Sequence, residues 1–98
     1  MAKGYVIAHV DVNDAEGYKP YMAANPVIIA KFGGRFIVRG GRCEAVEGKH
    51  RSRHVVIEFP DYETALAFYR SPEYQENMKC RLAHAAADTL IIEGYDAP

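Results

Sequence analysis

The sequence is poor in cysteine, and this limits the chemistry that it can support. Only Cys43 and Cys80 occur, 37 positions apart and in no CxxC arrangement. Closely spaced thiols are typical of redox centres and of structural zinc sites, whereas an isolated cysteine behaves as a small apolar residue. We therefore expect two unpaired thiols with neither a redox role nor a bound metal.

The chain also lacks a long apolar run and an excess of charge of either sign. No segment approaches the roughly 20 apolar residues that span a bilayer. Met1-Ala2-Lys3 leads into a strand pattern without the apolar core of a signal peptide. The formal net charge is -1, which gives no general positive field for a nucleic acid. We expect a cytoplasmic protein that binds neither a membrane nor a nucleic acid.

What the sequence does contain is enough apolar residues for one packed domain. Of its 98 residues 49% are hydrophobic, and seven are tyrosine. A chain of this length buries roughly two thirds of the surface that it exposes when unfolded, so its core is adequate but thin. We predict a single domain over residues 1–98 that association with a partner would stabilise.

Four segments have the composition of β-strands, because they are rich in β-branched and aromatic residues. They are Tyr5–Val12, Arg35–Val38, His54–Phe59 and Asp88–Tyr95. The first strand has one uniformly apolar face, whereas its other face carries His9 and Asp11. The third strand is similar, with one apolar face and a second that carries His54 and Glu58. We expect the apolar faces to contact helices.

A helix is predicted after the first strand, and a break is predicted within it. Asn13 or Asp14 provides the N-cap at its start. Further along, Asn25-Pro26 joins a favoured cap residue to the residue favoured at the first helical position. The pattern therefore predicts a break near Asn25 and a second helical piece from Pro26 to Phe32.

The third strand is followed by two more helical segments. Asp61 caps a helix that ends at Arg70, and Ser71-Pro72 begins another, with cap and proline in the favoured order. Residues at helical spacing in this last helix predict its buried side, with Arg81 at the border. They are Tyr74, Met78, Leu82 and Ala85.

The second predicted strand lies between two diglycines in the stretch Lys31–Gly48. Gly33-Gly34 precedes the strand and Gly40-Gly41 follows it. Glycine adopts positive φ angles at little cost, so a diglycine is a position where the backbone can reverse or bulge. We expect a positive φ angle at Gly40 or Gly41, at the start of a charged bend.

The predicted order is strand, helix, strand, strand, helix, strand. Two right-handed crossovers in this order produce an α+β, ferredoxin-like βαββαβ fold, with a four-stranded antiparallel sheet and its helices on one face. The other face of the sheet is then bare and largely apolar. It carries Tyr5, Ile7, Val56 and either the Leu90/Ile92 or the Ile91/Glu93 set.

A bare apolar face predicts a partner. Monomeric proteins rarely leave several hundred Å² of contiguous apolar surface in water. The simplest cover is the same face of a second copy, which predicts a homodimer whose two sheets close into an α/β barrel. Ionisable residues on this face would then project between the sheets, where a charge must be paired or hydrated.

Several segments together resemble one protein family. They are YVIAHVDV, FGGRFIVRGG, the Glu47-Gly48 pair, IEFPDYETALAFYRSPEYQ, Arg81 and the closing IIEGY. The chain resembles the domain-of-unknown-function family 1330 of bacteria, in the dimeric α/β-barrel superfamily. The resemblance implies a ferredoxin-like fold and dimerisation, and no established activity. Better-known members of the superfamily include cofactor-independent monooxygenases, muconolactone isomerase and haem-degrading enzymes, but no motif here points to one of these chemistries.

His9 and His54 are the candidate catalytic residues. Imidazole is a general acid or base near neutral pH, and a half-dry cavity would tune it; a hydrogen-bonded interior histidine is the structural alternative for His9. If the first and third strands are centred on one another, His54 approaches Asp11. That pair would either orient a catalytic base or form an ion pair at the rim.

Asp11, Arg39, Glu58, Tyr69 and Arg81 are candidate ligand-binding residues. A planar guanidinium is the usual anchor for a carboxylate or phosphate, but an Arg39–Glu58 pair would satisfy both groups without a ligand. For Arg81 the commoner arrangement is a solvated position at a helix edge. For Tyr69 it is a place in the core.

Two functions remain open at this point. The first is an enzyme that acts on a small, partly aromatic or carboxylated metabolite by cofactor-free proton transfer or oxygenation, since ionisable groups on an apolar face are typical of small-molecule sites. The second is a non-catalytic dimeric module that binds a small ligand or a partner protein. It is favoured because no nucleophile beside a base and no set of metal ligands can be assembled. Neither function requires a cofactor.

Overall fold

The computed structural model describes residues 2–97 and contains four strands and three helices. The strands are β1 (Gly4–Val12), β2 (Arg35–Arg39), β3 (Arg53–Phe59) and β4 (Ala85–Glu93). The helices are α1 (Ala15–Lys31), α2 (Tyr62–Arg70) and α3 (Pro72–His84). The predicted order of elements is therefore confirmed. Among residues 2–97 no helix is long and apolar enough to cross a membrane.

The strands form one antiparallel sheet in the order β2-β3-β1-β4, the arrangement of a ferredoxin-like fold. In the register of the two central strands, Val6 lies opposite Ile57 and His9 lies opposite His54. Because side chains alternate between the two faces of a strand, this register fixes which residues meet the helices. Val6 and Val10 are in the core, whereas His9 lies on the bare face.

All three helices pack on the face of the sheet that carries Val6. The core there is built from apolar and aromatic side chains of the sheet and of each helix. The largest of the fully buried side chains are Phe59, Phe68, Ile29 and Val10. The predicted two-layer arrangement is confirmed, and no helix of the described part of the chain covers the opposite face of the sheet.

Helix α1 is continuous, so the predicted break near Asn25 is wrong. The helix passes through Pro20 and Pro26 without interruption. Its buried residues explain why, since they continue along one side of the helix on both sides of Pro26. They are Tyr18, Tyr21, Asn25, Ile28 and Ile29. A break would remove half of this stripe from the sheet, and most helical stability in proteins comes from such packing rather than from local preference.

The junction between α3 and β4 also differs from the prediction. β4 begins at Ala85 rather than at Asp88 and ends at Glu93. Leu82, predicted on the buried side of α3, is 61% exposed. Ala85 is buried as the first strand residue, opposite Val12 of β1. Pairing with β1 therefore extends β4 at its start. The sequence pattern did not predict this extension, because alanine has little preference for strands.

Strand β2 contains a β-bulge, and an irregular segment follows it. The register of β2 against β3 shifts between Phe36 and Val38. Gly40 ends the strand with a φ angle of 63°, as expected, while Gly41 has no positive φ. From residue 40 to residue 52 the chain has no regular secondary structure. The bulge decides the direction of Arg39.

Candidate functional site

A cavity lies between the sheet and the helices. Its walls are largely apolar and aromatic, with Val6 and Ile57 from the sheet and Tyr18 and Phe68 from the helices. Its volume is about 520 Å³ with the open mouth included. This volume is within the range of small-molecule sites.

Arg81 of α3 is buried against this cavity. The residue is 6% exposed, and its Nε has no hydrogen-bond partner. Among residues 2–97 no carboxylate forms an ion pair with it. Burial alone would lower the pKa of Arg81, but the neighbouring Tyr74 and Tyr21 hydroxyls raise the pKa above its ordinary value. The cavity thus contains a permanent positive charge without a counter-ion, and the expectation of a solvated Arg81 is wrong.

Two tyrosine hydroxyls lie beside this guanidinium. The Oη atoms of Tyr21 on α1 and Tyr74 on α3 are 2.8 Å apart, and both side chains are buried. Burial, followed by the charge and hydrogen bond of Tyr74, raises the pKa of Tyr21 strongly. Tyr21 is therefore a neutral phenol at physiological pH. Its hydroxyl can donate or accept a hydrogen bond but does not act as a base.

Arg39 and Arg53 line the same cavity at its outer end. Arg39 is exposed and its guanidinium carbon lies 4.3 Å from the centre of the Phe36 ring. Arg53 is half-buried and its guanidinium packs against Gly40, where an added Cβ would lie 2.5 Å from Nη1. Among the described residues, three arginines and no carboxylate line the cavity.

Asn25 is a cavity residue that the sequence pattern did not predict. It is 5% exposed, and its Oδ1 has no hydrogen-bond partner in the described structure. A buried polar group normally has a partner, because leaving it unpaired costs free energy. An amide in the middle of an otherwise apolar and aromatic stripe is the signal that could have found it. The position of Asn25 directly before Pro26 favours a helix cap instead.

His9 and His54 do meet, but on the other face of the sheet. Their Nδ1 atoms are 2.8 Å apart, so one ring donates an N–H and the other accepts it. The ring of His50 lies near, with its centroid 6.4 Å from that of His54. A shallow pocket lined by His9, His50 and Arg51 opens beside this pair. The structure thus brings the two candidate catalytic residues together, separated from the Arg81 cavity by the sheet.

The expected pair of His54 with Asp11 is wrong. Pairing of β1 with β3 ends at Val10, so His54 faces His9 and Asp11 lies beyond the pair. The Asp11 carboxylate instead accepts from the backbone N–H of Ser52 at 2.8 Å and from Arg51 at 3.0 Å. The Ser52 N–H, with help from Arg51, holds the pKa of Asp11 below its ordinary value.

The expected Arg39–Glu58 pair is also wrong. Glu58 accepts from Arg35 at 3.2 Å and from the Tyr5 hydroxyl at 3.3 Å, on the bare face. Arg39 lies opposite Val55, on the helix face. The bulge in β2 is the cause, since one extra residue exchanges the faces of everything beyond it. Without the bulge Arg39 would share the face of Glu58.

Tyr69 lies outside the cavity. Its hydroxyl donates to Met78 Sδ at 3.4 Å, and the residue borders a shallow groove that Leu66 and Ile91 also line. Of the five candidate ligand-binding residues, Arg39 and Arg81 therefore line the cavity. Asp11 and Glu58 are in ion pairs on the opposite face.

Comparison with family models and solved structures agrees with the fold. The model of the domain of unknown function DUF1330 matches residues 3–95. The comparison with curated proteins found no match. A protein of unknown function from Rhodopseudomonas palustris is similar in structure, with a TM-score of 0.79, 17% sequence identity, and coverage of 98% of this chain and 85% of that chain.

Two further solved structures are similar to this chain. SnoaB, a cofactor-independent oxygenase from Streptomyces nogalater, has a TM-score of 0.66 and 11% identity, covering 99% of this chain and 97% of its own. A dimeric protein of unknown function with a ferredoxin-like fold from Bacteroides fragilis has a TM-score of 0.54 and 14% identity, covering 93% and 95%. At these identities the likeness shows the fold alone.

Proposed function

Since the chain belongs to the DUF1330 family, whose description names no activity, we propose a function from its own geometry. The protein is an enzyme that binds a small, flat, enolisable or phenolic metabolite between sheet and helices. It promotes cofactor-free proton transfer from that molecule, or its oxygenation. The observation that carries the proposal is the buried guanidinium of Arg81 in a largely apolar cavity, with no partner at Nε and no carboxylate paired with it among residues 2–97.

A buried cation without a carboxylate partner needs a functional explanation. Burying a charge costs several kcal/mol; the Tyr74 and Tyr21 hydroxyls favour the charged form of Arg81, but among residues 2–97 no carboxylate pairs with it. An anionic oxygen of a bound molecule would do so. Fixed donors aimed at a developing negative charge usually contribute more to catalysis than any other single effect. Arg81, with the Tyr74 hydroxyl beside it, is arranged to stabilise an enolate or phenolate.

In this proposal water accepts the proton that leaves the substrate. Among the described residues no Asp, Glu or His lines the cavity, and the raised pKa of Tyr21 keeps its hydroxyl protonated, so it is not available as a base. The proton therefore passes to water at the mouth, while the electron pair of the broken bond stays on the substrate as an oxyanion beside Arg81. In an oxygenation that anion would give one electron to O₂, and the resulting substrate radical and superoxide would combine to form a C–O bond.

SnoaB supports the oxygenation as one form of the proposal. That protein is described as a cofactor-independent oxygenase and has the same fold. A shared fold hosts many reactions, so this likeness supports oxygenation by analogy alone. The support that does not depend on this likeness is the cavity itself, which combines apolar walls with the Arg81 guanidinium.

We also propose that the protein is a homodimer through the bare face of the sheet. Leu90 and Ile92 are 48% and 50% exposed there, beside Ile7 and Val56 of the central strands. The Bacteroides fragilis protein is described as dimeric. A native mass spectrum would report two subunits, and it would also report the mass of any retained small molecule. A monomer would contradict the proposal.

The His9–His54 pair favours a second candidate site. Two hydrogen-bonded imidazoles can move a proton between a substrate and solvent, and in a homodimer they would face the space between the two sheets. In this alternative the reaction takes place at the histidines, and the Arg81 cavity has only a binding role.

The test is the exchange of substrate protons with solvent deuterium. The purified protein is incubated in D₂O with a panel of 2-oxo acids, 1,3-diketones and hydroxybenzoates, followed by NMR, while an oxygen electrode records O₂ uptake. We expect exchange or uptake with at least one member, and its loss in Arg81→Gln. Binding without exchange or uptake would favour the non-catalytic module. Neither binding nor turnover would contradict the proposal.

A further inference from the structure

Arg39 lies in the cavity because of one structural irregularity. In a regular strand Arg35, Ile37 and Arg39 would share a face, and Arg35 is on the bare face opposite Glu58. The bulge between Phe36 and Val38 moves Arg39 to the helix face, opposite Val55. Bulges commonly re-aim a side chain beside a functional site. The two arginines at the ends of β2, Arg35 and Arg39, therefore lie on opposite faces of the sheet.

A second arginine, Arg53, has its guanidinium beside Gly40. The main chain of Gly40 follows Arg39 directly and has a φ angle of 63°. The guanidinium of Arg53 packs against the Cα side of Gly40, leaving no room for a Cβ. Both residues line the cavity and are more exposed than Arg81, since Arg39 is exposed and Arg53 half-buried.

Neither of these arginines has an acidic partner in residues 2–97. The arginines on the bare face do have acidic partners: Arg35 pairs with Glu58, and Arg51 pairs with Asp11 and Asp88. Two guanidinium groups that line one cavity without a carboxylate partner are suited to bind a planar carboxylate.

We propose that Arg39 and Arg53 form a carboxylate subsite at the mouth of the cavity. This inference rests on the proposed function and specifies its substrate class: a small planar acid. The acid has a carboxylate at one end, held by Arg39 and Arg53, and an enolisable or phenolic oxygen at the other, held by Arg81. The flat body between them fills the apolar cleft.

The difference in exposure between Arg39 and Arg81 agrees with this orientation of the bound acid. Arg81 is 6% exposed at the inner end, whereas Arg39 is open to solvent. A full carboxylate charge is costly to desolvate, so it stays at the mouth, where water and two cations share it. The oxygen whose charge develops during the reaction meets the dry guanidinium, where an electrostatic interaction is strongest.

The test compares two probes that differ only at the carboxylate. Calorimetric titration of the dimer or monomer as purified would use para-hydroxybenzoate and its neutral carboxamide, para-hydroxybenzamide. Because hydrogen bonds to charged groups contribute about 1.5–3 kcal/mol, we expect the acid to bind roughly ten- to hundredfold tighter. In Arg39→Gln and Arg53→Gln this preference should fall towards unity, and in Arg35→Gln it should persist.

Gly40→Ala tests the same subsite without removing a charge. The new Cβ displaces the Arg53 guanidinium, so the preference for the acid should fall. Gly48→Ala is the matched control, because Gly48 also has a positive φ of 73°, while only the His50 ring lies within 4 Å of its Cβ position. Equal loss of stability in both variants, with loss of the preference in Gly40→Ala alone, supports the proposal.

The outcomes separate this subsite from the proposed function. Equal affinity for acid and amide, no binding of either, or a preference that survives both arginine variants would overturn the subsite. A preference that depends on Arg39 and Arg53, without any proton exchange or O₂ uptake by the panel, would keep the subsite and contradict the enzyme. Loss of affinity for both probes in Arg81→Gln locates their shared phenolic oxygen at Arg81.

Discussion

The hydroxyl oxygens of Tyr21 and Tyr74 lie 2.8 Å apart and join α1 to α3 at the inner end of the cavity. The two residues are 53 positions apart in the chain. Their rings also meet edge to face, with centroids 6.2 Å apart. This contact holds the two helices that supply most of the polar groups of the site, so it connects stability to the geometry around Arg81.

Tyr21→Phe should destabilise the protein by about 1 kcal/mol, because it leaves the buried Tyr74 hydroxyl without that partner. Chemical denaturation followed by circular dichroism would measure the loss. Tyr95→Phe is the control, since Tyr95 is 86% exposed and the substitution should change little. Equal stability of both variants and the parent would show that the bond contributes nothing.

High pH should unfold the protein through its buried tyrosines. Burial raises the pKa of Tyr21 and, less strongly, of Tyr18. Below about pH 10, the ordinary tyrosine pKa, these tyrosines are protonated in both the folded and the unfolded state. Their contribution to the free energy of unfolding is then fully present. Above it the unfolded state releases protons that the native state retains, so stability falls as pH rises. Denaturation curves at increasing pH should show the fall, with a smaller slope in Tyr21→Phe. A stability independent of pH in this range would contradict it.

Arg81→Leu should leave the unliganded protein at least as stable as the parent. Replacing a buried charge that has no carboxylate partner by an apolar side chain removes a desolvation penalty, which we expect to outweigh the lost interactions with the Tyr74 and Tyr21 hydroxyls. Such a residue is retained for function at a cost in stability. Thermal unfolding without ligand would show an equal or higher melting temperature, and stabilisation by a bound acid would be absent. Arg70→Leu, at an exposed position, should keep that stabilisation. A large fall in the melting temperature of Arg81→Leu would make Arg81 a structural residue.

His9→Gln should distinguish the two candidate sites. If the reaction takes place in the Arg81 cavity, this variant retains proton exchange, because His9 is on the other side of the sheet. Glutamine preserves a hydrogen-bonding group opposite His54. The measurement is deuterium exchange together with a native mass spectrum. If the variant loses proton exchange but remains a dimer, the His9–His54 pair rather than the Arg81 cavity is the catalytic site.

Gly4→Ala should destabilise the fold by about 1–3 kcal/mol, the usual cost of overpacking. A Cβ at Gly4 would overlap the backbone carbonyl of Asp61, the residue that caps α2. Backbone atoms cannot rotate away as a flexible side chain can. Gly41→Ala is the control, because nothing lies within 4 Å of its Cβ position. Denaturation midpoints of the two variants would be compared, and equal midpoints would contradict the prediction.

The sequence alone determined the local structure. The predicted caps are present, with Asp14 accepting from Gly17 N, Asp61 from Thr64 N and Ser71 from Tyr74 N. Alternation within Tyr5–Val12 correctly separated an apolar helix face from a face with His9 and Asp11. Such signals depend on neighbouring residues along the chain, so one sequence is sufficient to recognise them. The order of elements then favoured the ferredoxin-like fold.

Tertiary structure alone decided the composition of the cavity. Nothing in the segment Arg35–Arg39 marks the bulge that directs Arg39 towards the helices. The continuity of α1, and with it the burial of Asn25, depends on a stripe that packs against the sheet, and this long-range packing outweighs the local preference of Asn25-Pro26 for a helix start. Arg81 is buried because α1 and the sheet cover it, although its own helix would leave it at an edge. These three positions depend on contacts between residues far apart in the chain, which local patterns do not encode.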